Sequence, residues 1–331
     1  MFLKQIDFLA IGDITTDAFI KLKEASVHCN MNHEKCELCM GFGTKLPYEF
    51  VEIVRAVGNS ANAAVAAARL GLNAELVAQI GSDQNGKECL EVLKKEGVST
   101  RWIETHAGME TNYHYVLWYE SERTILVKHQ PYKYKLSDIK EPKWVYLSSL
   151  GENTLEFQEE ISNYLTKHPY IKLAFQPGTF QINVGHEKLA NIYKRSDVFI
   201  CNKEEAQKIL NNETHDLKWL LLKMHELGPK IVLITDGPEG AYAYENDNYY
   251  FMPIYPDPKP AYERTGAGDA FAATFVSALA LGKTIEEALR WAPINSMSVV
   301  QHIGAQKGLL DQKAIARYDK NSLESYKVKK F

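Results

Sequence analysis

The chain has 331 residues, enough for one large α/β domain with an insertion or for about two domains. Its 38 lysines and arginines against 42 aspartates and glutamates give a net charge of -4, with 45% hydrophobic residues. This composition excludes a disordered or fibrous protein, and the balanced charge argues against nucleic-acid binding. No apolar stretch is long enough to cross a bilayer, and the N-terminus does not resemble an export signal. We therefore expect a cytoplasmic protein without membrane or nucleic-acid partners.

Short apolar runs alternate along the chain with amphipathic helical patterns, which predicts alternating strands and helices. The predicted strands are 8–11, 75–80, 144–147, 173–175, 198–200 and 231–234. The predicted helices are 60–70, 86–95, 155–166, 203–210 and 217–227. This alternation is typical of an α/β protein with a doubly wound, mainly parallel sheet, in which ligands bind beyond the carboxyl ends of the strands.

Two segments interrupt the alternation. Residues 15–54 have no helical period, and residues 101–135 are rich in Tyr, Trp, Val and Thr, as antiparallel strands are. We expect both segments to leave one edge of the sheet and to pair as a small β-rich lid. The predicted core therefore comprises residues 1–14, 55–100 and 136–331, and the discontinuous lid comprises residues 15–54 and 101–135.

The most informative segment is Glu263-Arg264-Thr265-Gly266-Ala267-Gly268-Asp269-Ala270-Phe271, which leads into a helix of small residues. Its glycines let backbone N–H groups turn inward at a helix start, which suits an anion. Asp269 also has a plain structural interpretation, because acidic residues favour helix N-termini. A dinucleotide-binding fingerprint fits poorly because Phe271 occupies the third small position. An anion-binding turn beside a carboxylate instead meets both needs of phosphoryl transfer to a hydroxyl.

Segment 265–271 resembles the C-terminal signature D-T-x-G-A-G-D-x-F of the ribokinase-like carbohydrate kinases, also called the PfkB family. Four further segments resemble motifs of this family in the family's own order. They are 57–62 for G-G-x-x-x-N, 80–86 for G-x-D-x-x-G, 202–205 for N-x-x-E and 235–240 for T-x-G-x-x-G. The resemblance implies a ribokinase-like, Rossmann-type fold with a small β-rich lid.

The resemblance also implies a role for each matching residue. Asp269 would be the general base that deprotonates the acceptor hydroxyl, and the backbone of Gly266, Ala267 and Gly268 would form the anion hole. The acceptor would be bound by Asp17, Gly58, Asn62 and Asp13. A carboxylate and an amide suit vicinal hydroxyls because together they accept and donate hydrogen bonds. Asp13 has an equally good interpretation as a turn residue.

The nucleotide would be bound by a second set of residues, namely Asn202, Glu205, Thr235, Gly237, Gly240 and Asn295. Glu205 would help to bind Mg²⁺, partly through water. Asn202 and Glu205 also match a helix capping box, which requires no function, and both roles can coexist.

Three positions depart from the family pattern, and one of them, Arg264, either adds a polar side chain beside the phosphate site or forms a surface salt bridge. Val57 stands where the family often has the first of two hinge glycines, so the lid would close with less backbone freedom or hinge elsewhere. Glu263 replaces an aspartate that, in many relatives, helps to bind a monovalent cation, which leaves K⁺ dependence open.

Three of the five cysteines, Cys29, Cys36 and Cys39, lie close together in the first lid segment. With His28 or His33 they could supply the four ligands of a Zn²⁺ site. The spacing is irregular for such a site, so reduced thiols packed in the lid are the competing interpretation. An odd number of cysteines in a chain of this length does not suggest a disulfide framework.

Segment 111–119 is bulky on both faces of a predicted strand, so one face can cover the substrate and the other a second subunit. Lids of this family often form dimer contacts, which implies a homodimer. Together the motifs imply a kinase that uses ATP and Mg²⁺ to phosphorylate an alcohol group of a sugar or a nucleoside.

Two questions about function stay open at the level of sequence. Sugar phosphates remain possible acceptors because the lid region offers several cations, namely Lys21, Lys23, Arg55, Arg123 and Lys128. The alternative to a kinase is a catalytically silent protein that binds a sugar or nucleotide and uses its lid, with or without a metal, as an interaction module.

Overall fold

The computed structural model describes residues 5–30, 36–120, 122–136 and 139–331. Its strands are β1 (Phe8–Ile11), β2 (Thr15–Leu22), β3 (Ser26–Cys29), β4 (Cys36–Cys39), β5 (Tyr48–Val57), β6 (Ala74–Gly81), β7 (Ser99–His106), β8 (Tyr113–Tyr119), β9 (Glu122–Leu126), β10 (Trp144–Leu147), β11 (Lys172–Phe175), β12 (Val198–Asn202), β13 (Ile231–Thr235), β14 (Ala241–Glu245), β15 (Asn248–Met252) and β16 (Lys329–Lys330). Its helices are α1 (Asn59–Arg69), α2 (Gln84–Lys95), α3 (Leu155–Lys167), α4 (Thr179–Val184), α5 (Ala190–Arg195), α6 (Lys203–Ile209), α7 (Leu217–Glu226), α8 (Ala267–Ala280), α9 (Ile285–Val299) and α10 (Gln312–Lys320).

The main sheet has the strand order β16-β15-β14-β13-β12-β11-β10-β1-β6-β7 within the described residues. Seven neighbouring strands of this sheet run parallel to one another, namely β7, β6, β1, β10, β11, β12 and β13. The strands β14, β15 and β16 continue the sheet in antiparallel pairs. The predicted α/β fold with a mainly parallel sheet is therefore confirmed. Because the parallel strands share one direction, their carboxyl ends meet at one edge, where a ligand can bind.

Hydrophobic clusters cover both faces of this sheet. Phe8 and Ala10 of β1 belong to a cluster that includes α1, α8 and α9, whereas Leu9 and Ile11 belong to one that includes α3, α5 and α7. Successive strand residues point to opposite faces, so an apolar run without alternation is what a sheet buried on both sides requires. This burial explains why the short apolar runs of the sequence located the strands well.

A second sheet, with the strand order β5-β2-β8-β9, forms the lid. β2 pairs antiparallel with β5 and parallel with β8, and Phe19, Val116 and Trp118 form its small core. The two lid segments pair in this sheet, but the boundary that the sequence predicted for the second segment needs a correction. β7 (Ser99–His106) pairs with β6 in the main sheet, so residues 101–106 belong to the core. Strand-like composition marks a strand without revealing which sheet it joins.

The hairpin of β3 and β4 corrects the interpretation of the cysteine cluster. Cys29 and Cys36 stand opposite each other in the antiparallel register and form a disulfide, while Cys39 is a free thiol. The disulfide removes two of the three thiolates that the zinc hypothesis needs, and it replaces the expected reduced thiols at these positions. No group of three or more His, Cys, Asp or Glu side chains that could hold a metal occurs within the described residues. His33 lies outside the described residues.

In the part of the chain that the structure describes, no helix has the length and apolar character that a membrane span requires.

Thiol counting tests the hairpin. The denatured, unreduced protein should react with three equivalents of a thiol reagent, from Cys39, Cys89 and Cys201, and with five after reduction. A double variant with Cys29→Ser and Cys36→Ser should give three equivalents in both assays. Five reactive thiols in the unreduced wild type, or stoichiometric zinc in the purified protein, would contradict the disulfide.

Candidate active site

The start of helix α8 is shaped by a residue that must be glycine. Gly266 has φ +80°, and a Cβ built on it would lie 2.2 Å from the Cβ of Ala305. The left-handed turn and this close approach both exclude a larger side chain. A Cβ at Gly268, in contrast, meets nothing within 4 Å, so the first turn of the helix faces open space. Backbone N–H groups and the helix dipole there can bind an anion.

Glu263 holds this turn in place. One of its carboxylate oxygens accepts hydrogen bonds from the backbone N–H and the hydroxyl of Thr265, and the other accepts from the N–H of Gly304 at 3.3 Å. The side chain is almost fully buried. Both oxygens are thus engaged within the loop, so the structure supports a positioning role and gives no support to Glu263 as a ligand of a monovalent cation.

The carboxylate of Asp269, in the first turn of α8, is held from two other elements. The amide of Asn62 on α1 donates to Oδ2 at 2.8 Å, and the amide of Gln176, which follows β11, donates to Oδ1 at 3.3 Å. Gln306 in turn donates to Asn62 Oδ1 at 3.0 Å, and the hydroxyl of Tyr146 donates to Gln176. The predicted acceptor ligand Asn62 is therefore a residue that orients the predicted base.

Several influences act on the proton affinity of this carboxylate. Burial raises the pKa of Asp269, and the hydrogen bonds from Asn62 and Gln176 lower it in part. The charge of Arg123 also lowers this pKa, whereas that of Asp17 raises it. Burial and hydrogen bonding thus oppose each other, which is how proteins adjust a carboxylate for acid–base work.

Arg123 stands out among the predicted lid cations. It lies on β9 opposite Trp118, and its Nε is buried without a hydrogen-bond partner among the described residues. The other cations are either engaged or exposed: Lys21 donates to the carbonyl of Glu120, Arg55 pairs with Glu88, Lys128 pairs with Glu110, and Lys23 is exposed. Arg123 is the lid cation whose charge reaches Asp269.

Asp13 is occupied by other protein groups. Its Oδ1 accepts from the hydroxyl of Tyr134 at 2.6 Å, and its Oδ2 lies 3.0 Å from His129 Nδ1 and accepts from the N–H of Gly151 at 2.8 Å. Gly58 lies against the Asp13 backbone, because a Cβ on Gly58 would be 2.6 Å from the Asp13 carbonyl oxygen. These contacts favour the structural interpretation of Asp13 over direct acceptor binding.

Asp17, the other predicted acceptor carboxylate, is buried on the lid strand β2. Its register partner on β8 is His114, and Asp17 Oδ1 lies 3.3 Å from His114 Nδ1. Asp17 Oδ1 has no hydrogen bond among the described residues. Unlike Asp13, it therefore retains acceptor capacity for a ligand.

A cavity of about 430 Å³ adjoins the start of α8. It is lined by the predicted nucleotide residues Thr235, Gly237 and Gly240 together with Ala267 and Gly268 of the turn. Apolar residues from the β15 connection and α9 complete it, namely Met252, Ile254, Tyr255, Pro293, Met297 and Val300. A phosphate-binding turn at one end and apolar walls at the other suit a nucleotide.

The structure does not bring Asn295 to this cavity. Asn295 is fully buried, donates to the Thr274 hydroxyl at 2.7 Å and accepts from the N–H of Leu310 at 2.8 Å. Both ends of its amide are used in fixing α8 and the segment after α9. Other residues of α9, Pro293 and Met297 among them, line the cavity instead.

Asn202 and Glu205 form the capping box that the sequence suggested. Asn202 Oδ1 accepts from the N–H of Glu205 at 2.8 Å, and Glu205 Oε2 accepts from the N–H of Asn202 at 2.9 Å. Burial raises the pKa of Glu205, and the nearby charge of Asp269 raises it further. Oε1 has no hydrogen bond within the described part of the chain, so the carboxylate fits a hydrated Mg²⁺ that is also bound by substrate phosphates.

The model of the family described as "pfkB family carbohydrate kinase" matches residues 49–312. The chain belongs to the pfkB family of carbohydrate kinases. The predicted family, fold and class of enzyme, a carbohydrate or nucleoside kinase, are thereby confirmed.

Individual relatives agree with this membership. The chain is 29% identical to a ribokinase of Bacillus subtilis over 262 residues, which covers 76% of this chain and 83% of that protein. The structure of Arabidopsis thaliana ribokinase with ribose and ATP matches with a TM-score of 0.80 and 20% identity, over 96% of this chain and 100% of that one. A Burkholderia thailandensis nucleoside kinase with inosine matches with a TM-score of 0.75 and 15% identity, over 97% and 99%. At these identities the two structures establish the fold alone.

Sequence reasoning missed three residues of the site: Gln176, His114 and His129. Gln176 directly follows β11, at the carboxyl edge where ligands bind in such sheets, and that position was a signal that could have found it. His114 and His129 carried no such signal, because they meet the predicted aspartates only through the strand register and the lid fold.

Replacing Gln176 tests the hydrogen bond to Asp269. A hydrogen bond to a carboxylate stabilises its charged form, so Gln176→Met should raise the pKa of Asp269 further. Nuclear magnetic resonance of ¹³C-labelled aspartate should show the Asp269 titration at higher pH than in the wild type. Gln84→Met, an equivalent change at an exposed position on α2, is the control. An unmoved or lowered titration would contradict the assigned contact.

Proposed function

We propose that the protein transfers the γ-phosphoryl group of ATP to an alcohol group of a sugar or nucleoside, with Asp269 as the general base. The observation that carries this proposal is the Asp269 carboxylate, held by Asn62 and Gln176 beside an anion-binding helix start. Asp269 accepts the hydroxyl proton as the acceptor oxygen bonds to the γ-phosphorus. The bond from phosphorus to the β-phosphate oxygen breaks, and ADP leaves.

The charge of the transferring group is neutralised from two sides. The backbone N–H groups of Gly266, Ala267 and Gly268 form the anion hole, and the open space at Gly268 supports this role. Arg123 approaches from the lid, with a buried and unpartnered Nε among the described residues. Mg²⁺, held through Glu205 and water, would supply charge neutralisation at the ATP phosphates. Closing the lid then brings the guanidinium and the acceptor together over Asp269.

The cavity beside α8 is the proposed nucleotide site. Thr235, Gly237 and Gly240 line it next to the turn, so ATP phosphates can meet the helix start while the base contacts the apolar wall. The structure of the plant ribokinase with ribose and ATP, and that of the nucleoside kinase with inosine, support a sugar or nucleoside as the acceptor class.

Asp269→Asn should abolish phosphoryl transfer without unfolding the protein. An asparagine keeps the shape but cannot accept the proton, so kcat should fall by about 100- to 10,000-fold. The assay is ATP consumption across a panel of sugars, nucleosides and sugar phosphates. Asp247→Asn, in the exposed turn between β14 and β15, is the control and should retain wild-type turnover.

Two outcomes would count against the mechanism or the function. Turnover unaffected by Asp269→Asn would remove Asp269 as the base. Absence of turnover by the wild type with every acceptor would favour the alternative, a silent sugar- or nucleotide-binding protein.

The lid sheet also supports the proposal of a homodimer. Ile53, Ala18, Tyr115 and Leu126 share one row across β5, β2, β8 and β9, on the face opposite to Asp17. Ile53 is 44% exposed, Tyr115 49% and Leu126 52%. Contiguous exposed apolar side chains on a sheet are typical of an interface, and a second copy of the same lid can cover them.

Light scattering tests the dimer. The wild type should have twice the 37.6 kDa mass of the chain, and Ile53→Glu should shift it towards the single-chain mass, because it buries a charge at the interface. Leu323→Glu, at an exposed apolar position in the C-terminal segment, should leave the mass unchanged. A wild type found only as a 37.6 kDa species would refute the proposal.

A further inference from the structure

Three buried polar atoms on the inner face of the lid form no hydrogen bond among the described residues. Besides Nε of Arg123, they are Oδ1 of Asp17 and Nε2 of His114. Asp17 and His114 are register partners in the parallel pair of β2 and β8, so their side chains stand side by side on the same face. Arg123, whose partner in register is Trp118 of β8, belongs to this face as well.

The burial of these atoms makes their lack of partners costly. The side chain of His114 is 13% exposed and that of Asp17 is 10% exposed. A buried polar atom that forms no hydrogen bond destabilises the fold, and such atoms in native proteins generally point to a missing ligand or water. The charge of Asp17 raises the pKa of Asp269, so the Asp17 carboxylate lies within electrostatic range of the proposed base.

A second histidine supports the first. The ring centroids of His114 and His129 are 5.2 Å apart, and His129 Nδ1 lies 3.0 Å from Asp13 Oδ2. Asp13 is itself fixed by Tyr134 and Gly151. This network explains why Asp13 is saturated by protein groups: it anchors His129, and His129 limits the positions open to the His114 ring.

The chemistry of the two unpartnered atoms defines what they can bind. A carboxylate 3.3 Å from His114 Nδ1 favours the tautomer with the proton on Nδ1, which leaves Nε2 as an acceptor. Asp17 Oδ1 is an acceptor as well. The ligand must therefore supply two donors, which two neighbouring hydroxyls do. A carboxylate offers no donor to these two atoms, and Asp17 would repel the negative charge of a carboxylate or a phosphate unless Arg123 on the same face offset it.

We propose that His114 is a specificity-determining residue of the acceptor site: its Nε2 accepts from the acceptor hydroxyl next to the one bound by Asp17, the carboxylate that the family resemblance already assigns to the acceptor. The proposal rests on the proposed kinase function and narrows it. At this end the acceptor is the diol of a neutral furanose sugar or of a nucleoside ribose. An anionic group, if the acceptor has one, lies elsewhere in the cleft.

The experiment compares acceptors that differ by one hydroxyl. Ribose and inosine are each assayed against their deoxy analogues, 2-deoxyribose and the 2′- and 3′-deoxy forms of inosine, with wild type and His114→Phe. The phenyl ring keeps the approximate shape but removes both ring nitrogens. For a diol acceptor, kcat/KM should fall by about 10- to 100-fold in the variant, mainly through KM. For the analogue that lacks the contacted hydroxyl, it should change less than about threefold, so the preference for the diol disappears.

Controls separate this role from a structural one. His114→Gln retains an acceptor oxygen and should recover part of the preference, and His215→Phe, at an exposed position before α7, should behave as the wild type. Because His114→Phe also removes the Nδ1 contact with Asp17, its ligand-free melting temperature can fall without bearing on Nε2, and the comparison of acceptors decides. An equal loss of kcat/KM for diol and deoxy acceptors would overturn the proposal.

Calorimetry without nucleotide distinguishes this proposal from the proposed function. If the wild type turns over no acceptor but binds the diol ligands, and His114→Phe loses that binding selectively, the kinase function fails while the diol site stands. If the wild type turns over diol acceptors and His114→Phe loses diol and deoxy acceptors equally, the kinase function stands and the assignment of His114 fails. Binding of neither ribose nor inosine to the wild type overturns the diol site.

Discussion

The close approach between Gly266 and Ala305 is the constraint on which the site depends. Because Gly266 has no side chain, the chain can turn left-handed against Ala305 and begin α8 within one residue. α8 is buried from Ala270 to Ala278, so its axis is fixed by the core. Asp269 therefore takes its position from a rigid helix, and Glu263 ties the preceding loop to the same frame. A base on a mobile loop would have no such fixed direction.

Several carboxylate side chains lie near the start of α8. The charge of Asp17 raises the pKa of Asp269, and the charge of Asp269 raises the pKa of Glu205. Asp269 thus has carboxylates near it on both the lid and α6, and Arg123 is the cation that lowers its pKa. When no ligand is bound, repulsion between these carboxylates disfavours closure of the lid. Cations that arrive with ATP would reduce this repulsion and stabilise the closed state. The same charges explain why the diol end of the acceptor should be neutral.

The sequence predicts a feature when a local residue pattern determines it. It does not predict a feature that depends on how distant strands pair. The strands at 8–11 and 144–147 have the predicted bounds, because strands buried on both faces need continuous apolar runs. Register across strands carries no local signal, so the Cys29–Cys36 disulfide and the contact of Asp17 with His114 were not foreseen. Motifs located Asp269 and Asn62 but not their mutual hydrogen bond, because motif positions say nothing of which side chains meet.

Successive residues of the lid strands point to opposite faces of the sheet, and each face has its own proposed role. Asp17 and His114 face the cleft, while Ile53 and Tyr115, one residue out of phase, face outward. A slip of one residue in the pairing of β2 with β8 would exchange these faces, burying the apolar row in the cleft and exposing the carboxylate. In the proposed homodimer, covering the outer row with a second copy would stabilise the same register that aligns Asp17 with His114. The proposed dimer and the proposed acceptor site would then be coupled through the pairing of these strands.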